Sequence, residues 1–184
     1  MNSLGFLVST VFDLYIMVVL IRIWLQWARA DFYNPFSQFV VKATQPIVAP
    51  LRRIIPPIGG FDLATLIFAY VLSIGKFLTL QLALNGGIVF SPDFLWIGAL
   101  SLLKAAGGLL FWILLLRAIL SWVSQGRNPI EFVMHQLTEP LTAPIRRVIP
   151  AMGGLDLSVL VLFLGLQFAN FLMGDLIGPV WFQL

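Results

Sequence analysis

Residues 94–123 read FLWIGALSLLKAAGGLLFWILLLRAILSWV, an apolar stretch interrupted by two charged side chains, Lys104 and Arg117. An α-helix rises 1.5 Å per residue, so about 20 residues cross the roughly 30 Å of hydrocarbon in a bilayer. This stretch is therefore long enough to span a membrane with a tilt. Three further stretches are also long and apolar enough to span a membrane: about 4–27, 63–84 and 157–177.

The composition of the whole chain agrees with a membrane location. Of the 184 residues, 60% are hydrophobic and 10% are charged, and the mean hydropathy is +0.98. A soluble domain carries roughly 25% charged residues, because its surface must face water. The sequence therefore predicts an all-α, polytopic membrane protein with four transmembrane helices. Its net charge of +3 is explained by membrane orientation, so we expect no nucleic-acid partner.

The basic residues outside the predicted spans indicate an orientation. All seven lie in the two long connecting segments, 28–62 and 124–156, and none lies in 85–93 or at either terminus. Cytoplasmic loops of membrane proteins carry the excess of Lys and Arg. We therefore predict that both long segments are cytoplasmic and that both termini are periplasmic.

The chain is a tandem repeat. Residues 46–56, PIVAPLRRIIP, align at an offset of 94 with residues 140–150, PLTAPIRRVIP, and 15 of the 33 aligned positions from residue 34 to residue 66 are identical. Each unit consists of a span, a basic amphipathic loop and a second span, so we assign residues 1–90 to the first repeat and 91–184 to the second. Two spans per unit give both copies the same orientation in the membrane, which makes the repeat a parallel one.

Each loop begins with an Asn-Pro pair, a typical helix start, because Asn caps free amides and Pro suits the first turn. Apolar residues then recur at helical spacing, which predicts a short amphipathic helix at the interface that ends at Pro46 or Pro140. We expect the basic pairs that follow to lie at headgroup depth and to bind anionic lipid headgroups or a partner: Arg52, Arg53, Arg146 and Arg147. An aspartate then precedes each second span, and we expect Asp62 and Asp156 to cap those helices.

One arginine lies inside the first span of each repeat. An ionisable side chain in hydrocarbon costs roughly 2.5–3.5 kcal/mol unless it finds a partner, water or the interface. At 1.5 Å per residue, Arg22 and Arg117 lie about 8–9 Å from the cytoplasmic end of their spans. We expect them to reach the interface by snorkelling; the alternative is a pair that faces a phosphate or a substrate.

A deeper set of polar residues suggests ion pairs within the membrane. Asp13 and Lys76 both come out about 20 Å from the cytoplasmic edge, so we expect them to pair. Lys104 and Asp175 both come out near the outer surface and form a weaker candidate pair. Such pairs either order the helices or contribute to a polar path for ions, which Asn170 would assist.

No pattern in the sequence indicates an enzyme. The chain has no Cys and one His, His135, which argues against thiol chemistry and a histidine-rich metal centre, so we expect no metal and no cofactor. Gly86-Gly87 and Gly107-Gly108 lack the strand and helix that a phosphate loop needs. We expect Gly107-Gly108 to allow two spans to approach closely.

Three stretches resemble the YggT family of bacterial membrane proteins, in its two-copy proteobacterial form: residues 50–62, PLRRIIPPIGGFD, with their second copy; residues 31–39, DFYNPFSQF; and residues 121–127, SWVSQGR. The resemblance covers essentially the whole chain and implies an inner-membrane protein with four spans. It also implies an association with tolerance of osmotic shock and with ion handling. Single-copy relatives are associated with division and cell-wall genes, and chloroplast relatives with nucleoid distribution and cytochrome maturation. The family implies no catalytic residues.

Two functions follow from these observations. The first is osmotic-stress tolerance, through ion transport or its regulation. Because four short spans do not easily enclose a pore, this function requires a homo-oligomer. The second is a non-transporting scaffold or assembly factor whose basic amphipathic loops bind lipid or a partner membrane protein.

Overall fold

The computed structural model of the protein describes residues 3–123, 128–149 and 156–184. These residues form helices joined by short connections, and no β-strand occurs among them. The helices are α1 (Ser3–Trp27), α2 (Pro35–Ile54), α3 (Leu63–Asn85), α4 (Asp93–Val123), α5 (Pro129–Val148), α6 (Leu157–Ile177) and α7 (Val180–Gln183).

Four of these helices are long and apolar enough to cross a membrane: α1, α3, α4 and α6. They coincide with the four predicted spans to within one or two residues at each end. The all-α, four-span fold is therefore confirmed. Parts of the second basic loop, 124–127 and 150–155, lie outside the described residues, and with them Arg127 and Pro150.

The helices form two compact units. The first comprises residues 3–23, Val40–Ala106 and Leu184, and the second comprises Trp24–Phe39 and Gly107–Gln183. These boundaries do not coincide with the repeat boundary, because the first part of α4 belongs to the first unit. The division of the sequence at residue 90 into two repeats remains a prediction about its duplication.

The helices α2 and α5 correspond to the predicted amphipathic segments. Each begins as its Asn-Pro pair predicts: Asn34 Oδ1 accepts a hydrogen bond of 2.9 Å from the amide of Phe36, and Asn128 Oδ1 accepts one of 2.9 Å from the amide of Ile130. These bonds satisfy amides in the first turn that have no carbonyl partner within the helix.

The prediction that these helices end at Pro46 and Pro140 is wrong. Both are 20 residues long and continue through two prolines each. A proline inside a helix deprives the carbonyl four residues earlier of its amide partner. The prolines lie on the exposed side of each helix, where solvent or headgroups can satisfy those carbonyls, while threonine and valine side chains on the opposite side are fully buried. Burial of that side keeps the backbone helical.

The close approach of two spans in the first unit occurs at Gly98 of α4. A Cβ atom built there would lie 2.7 Å from the side chain of Ile74 in α3. The hydroxyl of Ser73 also donates to the Gly98 carbonyl at 2.9 Å. A Cβ atom at Gly107 or Gly108 would meet no atom within 4 Å, so the prediction that these two glycines permit close packing is wrong for the described part of the chain.

Candidate functional site

Each repeat contains a partly buried group of arginine, threonine and carboxylate side chains that connects a spanning helix to the amphipathic helix. The first arginine cluster consists of Arg22, Thr44, Gln45, Arg52 and Asp62. The second arginine cluster consists of Arg117, Thr138, Glu139, Arg146 and Asp156. Each cluster lies within one compact unit.

Arg22 lies at the centre of the first cluster. Its side chain extends from α1 to α2 and donates to Thr44 Oγ1 at 2.6 Å, to Gln45 Oε1 at 2.6 Å and to the carbonyl of Val41 at 3.3 Å. The Thr44 hydroxyl donates its own proton to the Val40 carbonyl at 2.8 Å, which leaves its oxygen to accept from Arg22. Arg22 is 4% exposed.

Asp62 joins the same cluster to α3. It caps this helix by accepting a hydrogen bond of 3.2 Å from the amide of Thr65, as its position in the sequence predicts. Its carboxylate also forms an ion pair with Arg52 and accepts a hydrogen bond from the Thr65 hydroxyl. Burial opposes ionisation of this carboxyl, but the bonds from Arg52 and Thr65 outweigh that effect and hold the pKa of Asp62 below its ordinary value.

Arg117 occupies the corresponding position in the second cluster. From α4 it donates to the hydroxyl of Thr138 in α5, to that of Thr142 at 3.4 Å and to Asp156 Oδ2 at 3.3 Å. Thr138 in turn donates to the Met134 carbonyl at 2.8 Å, as Thr44 does to its own helix. Arg117 is 9% exposed.

Asp156 caps α6 and binds both arginines of its cluster. It accepts a hydrogen bond of 3.1 Å from the amide of Ser158, and Arg146 Nη2 lies 3.1 Å from Asp156 Oδ2. Arg146 also lies 3.3 Å from Glu139. Burial of Asp156 opposes its ionisation, but the bonds from Ser158 and the charges of Arg146 and Arg117 outweigh it and lower its pKa.

The two clusters differ in charge at one aligned position. Gln45 of the first repeat corresponds to Glu139 of the second at the offset of 94. The first cluster therefore contains two arginines and one carboxylate, and the second contains two arginines and two carboxylates. The arginine and threonine at the centre of each cluster are the same.

These contacts correct two predictions. The expectation that Arg22 and Arg117 snorkel to the interface is wrong, because both are buried and bonded to protein acceptors. The expectation that all four loop arginines bind lipid headgroups or a partner is incomplete, since Arg52 and Arg146 also pair with the caps of α3 and α6. The neighbouring Arg53 and Arg147 are exposed and remain candidates for headgroups or a partner.

The predicted ion pair between α1 and α3 is confirmed. Lys76 Nζ lies 2.7 Å from Asp13 Oδ1, and the Ser9 hydroxyl donates to Asp13 Oδ2 at 3.1 Å. The two partners differ in environment: the Lys76 side chain is 9% exposed and the Asp13 side chain is 41% exposed. The carboxylate therefore reaches the outer surface of the helices in the first unit.

The other polar residues predicted to contribute to ion pairs or a polar path are Asn170, Lys104 and Asp175, and the structure does not place them in one group with Asp13 and Lys76. Asn170 accepts a hydrogen bond of 2.9 Å from the indole of Trp181, which attaches α7 to α6. Lys104 belongs to the first unit and the exposed Asp175 to the second. Their pairing remains a prediction. Within the three described ranges, no group of His, Cys, Asp and Glu side chains is arranged to hold a metal ion.

Comparison with known proteins identifies the family. The sequence matches CCB3/YggT over residues 1–83 and 96–177. The chain belongs to the CCB3/YggT family. A Vibrio alginolyticus relative, "Uncharacterized protein in proC 3'region", is 76% identical over 185 residues, with all of both chains covered. The Escherichia coli (strain K12) relative, "Uncharacterized protein YggT", is 57% identical over 92% of this chain and 88% of its own length.

More distant CCB3/YggT relatives also cover nearly the whole length. A Haemophilus influenzae "Uncharacterized protein" is 36% identical over 98% of this chain and 97% of its own length. No solved structure matches the chain. Family membership and the four apolar helices together make it an integral, multi-pass membrane protein. Nothing in the family match or in the described side chains suggests catalysis.

Substitutions of Arg52 and of its exposed neighbour Arg53 test whether Arg52 alone stabilises the fold through its ion pair with Asp62. Arg52→Ala leaves the buried Asp62 carboxylate without its cation, so we expect a loss of about 1–3 kcal/mol in folding stability. Arg53→Ala, one residue away and exposed, should change stability by less than about 0.5 kcal/mol. Thermal unfolding in detergent micelles measures both; equal effects would contradict the assignment of Arg52 to the Asp62 cap.

The lowered pKa values of the two caps predict acid sensitivity. A carboxyl whose folded pKa is depressed contributes stability above its unfolded pKa of about 3.9, and this contribution is lost as pH falls through the folded value. The unfolding temperature of the wild-type protein should therefore decrease when the pH is lowered below about 4. Asp62→Asn with Asp156→Asn should be less stable at pH 7 but should lose less on acidification. Parallel pH profiles for the two proteins would contradict this expectation.

Proposed function

We propose that this CCB3/YggT protein supports osmotic-stress tolerance by permitting or regulating ion movement across the bacterial inner membrane. The observation that carries the proposal is the Asp13–Lys76 ion pair, in which the Asp13 side chain is 41% exposed on a membrane-spanning helix. A pair that served only to hold α1 against α3 would be stabilised most by hiding both charges from lipid.

An exposed carboxylate at this depth needs a polar neighbour. Leaving a charge in hydrocarbon costs roughly 2.5–3.5 kcal/mol, so water, an ion or a second protein surface must reach Asp13. The Ser9 hydroxyl and the Lys76 ammonium each bind one oxygen of the carboxylate. We assign the exposed side to a hydrated path, formed where copies of the chain meet in a homo-oligomer.

The tandem repeat supports this choice of site. At the repeat offsets, Asp13 corresponds to Gly108 and Lys76 to Asn170, so the second repeat lacks both charges. The arginine and threonine at the centre of each cluster, in contrast, occur in both repeats. The arginine and threonine that occur in both repeats are explained by the common fold of the repeats. The Asp13–Lys76 pair occurs in one repeat and is the better candidate for a specialised role.

The proposal includes an orientation. Both basic loops lie on the cytoplasmic side and both termini lie in the periplasm, as the distribution of Lys and Arg favours. The exposed Arg53 and Arg147 would then face the anionic lipid headgroups of the inner leaflet.

A second candidate function is a scaffold without transport. The specific observation in its favour is the exposure at the ends of α2 and α5, where Ile54 is 79% exposed and Val148 is 80% exposed, each next to an exposed arginine. A basic residue beside an exposed apolar one suits docking on an anionic membrane surface. This function requires no hydration of Asp13.

Flux measurements in proteoliposomes test the primary function. Vesicles with the wild-type protein should release K⁺, Na⁺ or Cl⁻ faster than empty vesicles after an osmotic shift, and Asp13→Asn should abolish the difference. Asp93→Asn is the matched control, because Asp93 is exposed and also accepts a serine hydroxyl, at 2.9 Å, but lies at the first residue of α4. The control should conduct as the wild-type protein does.

A charge exchange distinguishes loss of folding from loss of flux. Asp13→Lys alone should impair folding, and Asp13→Lys with Lys76→Asp should restore it, because the pair is re-formed. If the wild-type protein conducts none of the three ions, or if Asp13→Asn conducts normally, the ion function is contradicted and the scaffold function is favoured.

A further inference from the structure

The membrane-spanning helix α6 carries an exposed amide side chain at its midpoint. Gln167 lies ten residues from each end of the helix, which is about 15 Å from either end. Its side chain makes no hydrogen bond to any residue in the three described ranges. A polar group in hydrocarbon is costly unless it is hydrogen-bonded, and Gln side chains in membranes bond across helices. The amide therefore requires a partner on another helix.

Apolar residues flank Gln167 on the same face of α6. Leu160, Leu164 and Phe171 are each more than half exposed. With Gln167 they recur at spacings of four and three residues, which places them in one row along the helix. Among the four helices that are long and apolar enough to cross a membrane, α6 is also the least buried. This row is therefore a surface along which a second helix can pack.

The corresponding face of the first repeat is an interface between two spans. At the offset of 94, Leu164 corresponds to Tyr70 and Gln167 to Ser73, both on α3. The hydroxyls of Tyr70 and Ser73 donate to backbone carbonyls of α4 at 2.8 and 2.9 Å. Helix α4 is the first span of the second repeat, and its counterpart in the first repeat is α1. The duplication therefore favours a first span, α1, as the partner for the exposed face of α6.

Helix α1 has an exposed acceptor at the same depth as the amide. Asp13 lies ten residues after the start of α1, and Gln167 lies ten residues before the end of α6. With four spans, these two helix ends lie on the same side of the membrane, so both side chains are about 15 Å from that side. The Asp13 side chain is 41% exposed. A carboxylate has about four acceptor sites, and Ser9 and Lys76 each bind one oxygen, so an amide donor can still bind.

The residues beside Asp13 also suit packing against α6. Phe6 and Thr10 share its face at spacings of three and four residues, and Phe6 is 61% exposed. The first and fourth spans cross the membrane in opposite directions. When Asp13 is opposite Gln167, the next position of the α1 face toward the helix start is Thr10. On α6 the position opposite Thr10 is Phe171.

We infer that α6 of one copy packs against α1 of a second copy, with the Gln167 amide donating to the Asp13 carboxylate. An α6–α6 contact would satisfy the amide but would leave the exposed carboxylate without a polar neighbour, so the contact with α1 is favoured. This interface deepens the proposed function and rests on it for one point, that copies of the chain meet at Asp13. It places Gln167 at the edge of the hydrated path.

Disulfide crosslinking of the full-length protein in vesicles tests the interface. Because the chain contains no cysteine, each introduced thiol is the only one in its copy. Copies with Thr10→Cys and one affinity tag are reconstituted together with copies that carry Phe171→Cys and a second tag, so that Asp13 and Gln167 are retained. Oxidation with copper phenanthroline should give a dimer that carries both tags.

The matched control uses the next residue of each helix. Val11→Cys and Leu172→Cys are also introduced at exposed positions, 57% and 43%, but these positions lie on other faces of α1 and α6. This pair should give little mixed dimer. An equal yield from the control pair would mean random collision and would overturn the interface.

The hydrogen bond has its own measurement in the Thr10→Cys and Phe171→Cys pair. Gln167→Leu keeps an apolar side chain but removes the donor, so it should lower the yield of mixed dimer by about tenfold when the vesicles are diluted with lipid. Gln167→Asn retains an amide and should lower the yield less. A yield that Gln167→Leu leaves unchanged would overturn the assignment of the amide.

The remaining outcomes separate this interface from its alternatives. Dimers formed by Phe171→Cys copies alone would show an α6–α6 contact, and a chain with both cysteines that closes the disulfide only within itself would place α1 against α6 in one molecule. Either result would overturn the interface. Ion flux without the mixed dimer would contradict this interface alone, and the mixed dimer without flux would contradict the ion function alone.

Discussion

A guanidinium group inside the apolar part of a membrane protein must find acceptors within the protein, and this constraint organises both repeats. Arg22 and Arg117 satisfy it by bonding to threonine hydroxyls on α2 and α5. Each threonine hydroxyl donates its proton to a backbone carbonyl of its own helix, so its oxygen is available to accept a hydrogen bond from the arginine. An amphipathic helix that would otherwise rest on lipid is thereby attached to a spanning helix. The caps Asp62 and Asp156 extend each cluster to the next span.

Much of the fold could be predicted from the sequence because it depends on local patterns. The spans follow from hydropathy and length, the starts of α2 and α5 from Asn-Pro, and the caps from the aspartates before α3 and α6. The ends of α2 and α5 could not be predicted, because a proline's effect depends on which side of the helix is buried. The partners of Arg22 and Arg117 were missed for a similar reason. Thr44 and Thr138 are identical between the repeats, and that identity was the signal available.

The two kinds of intramembrane charge have different meanings for function. The arginine clusters are present in both repeats, and each has a buried central arginine that donates to protein acceptors, which is what a shared structural element requires. The Asp13–Lys76 pair was predicted from depth alone, occurs in one repeat and exposes its carboxylate. A duplicated scaffold in which one half carries an unmatched ion pair accounts for these differences.

Hydrogen–deuterium exchange of Arg22→Met tests most directly whether the buried arginines hold the amphipathic helices. Methionine keeps much of the apolar volume of arginine but has no donors for Thr44 or Gln45. The account predicts faster exchange of the α2 amides over residues 40–48 while the amides of α3 keep their protection, with Arg53→Met unchanged as the control. If α2 stays as protected in Arg22→Met as in the wild-type protein, the attachment does not depend on the buried arginine, and the account is contradicted.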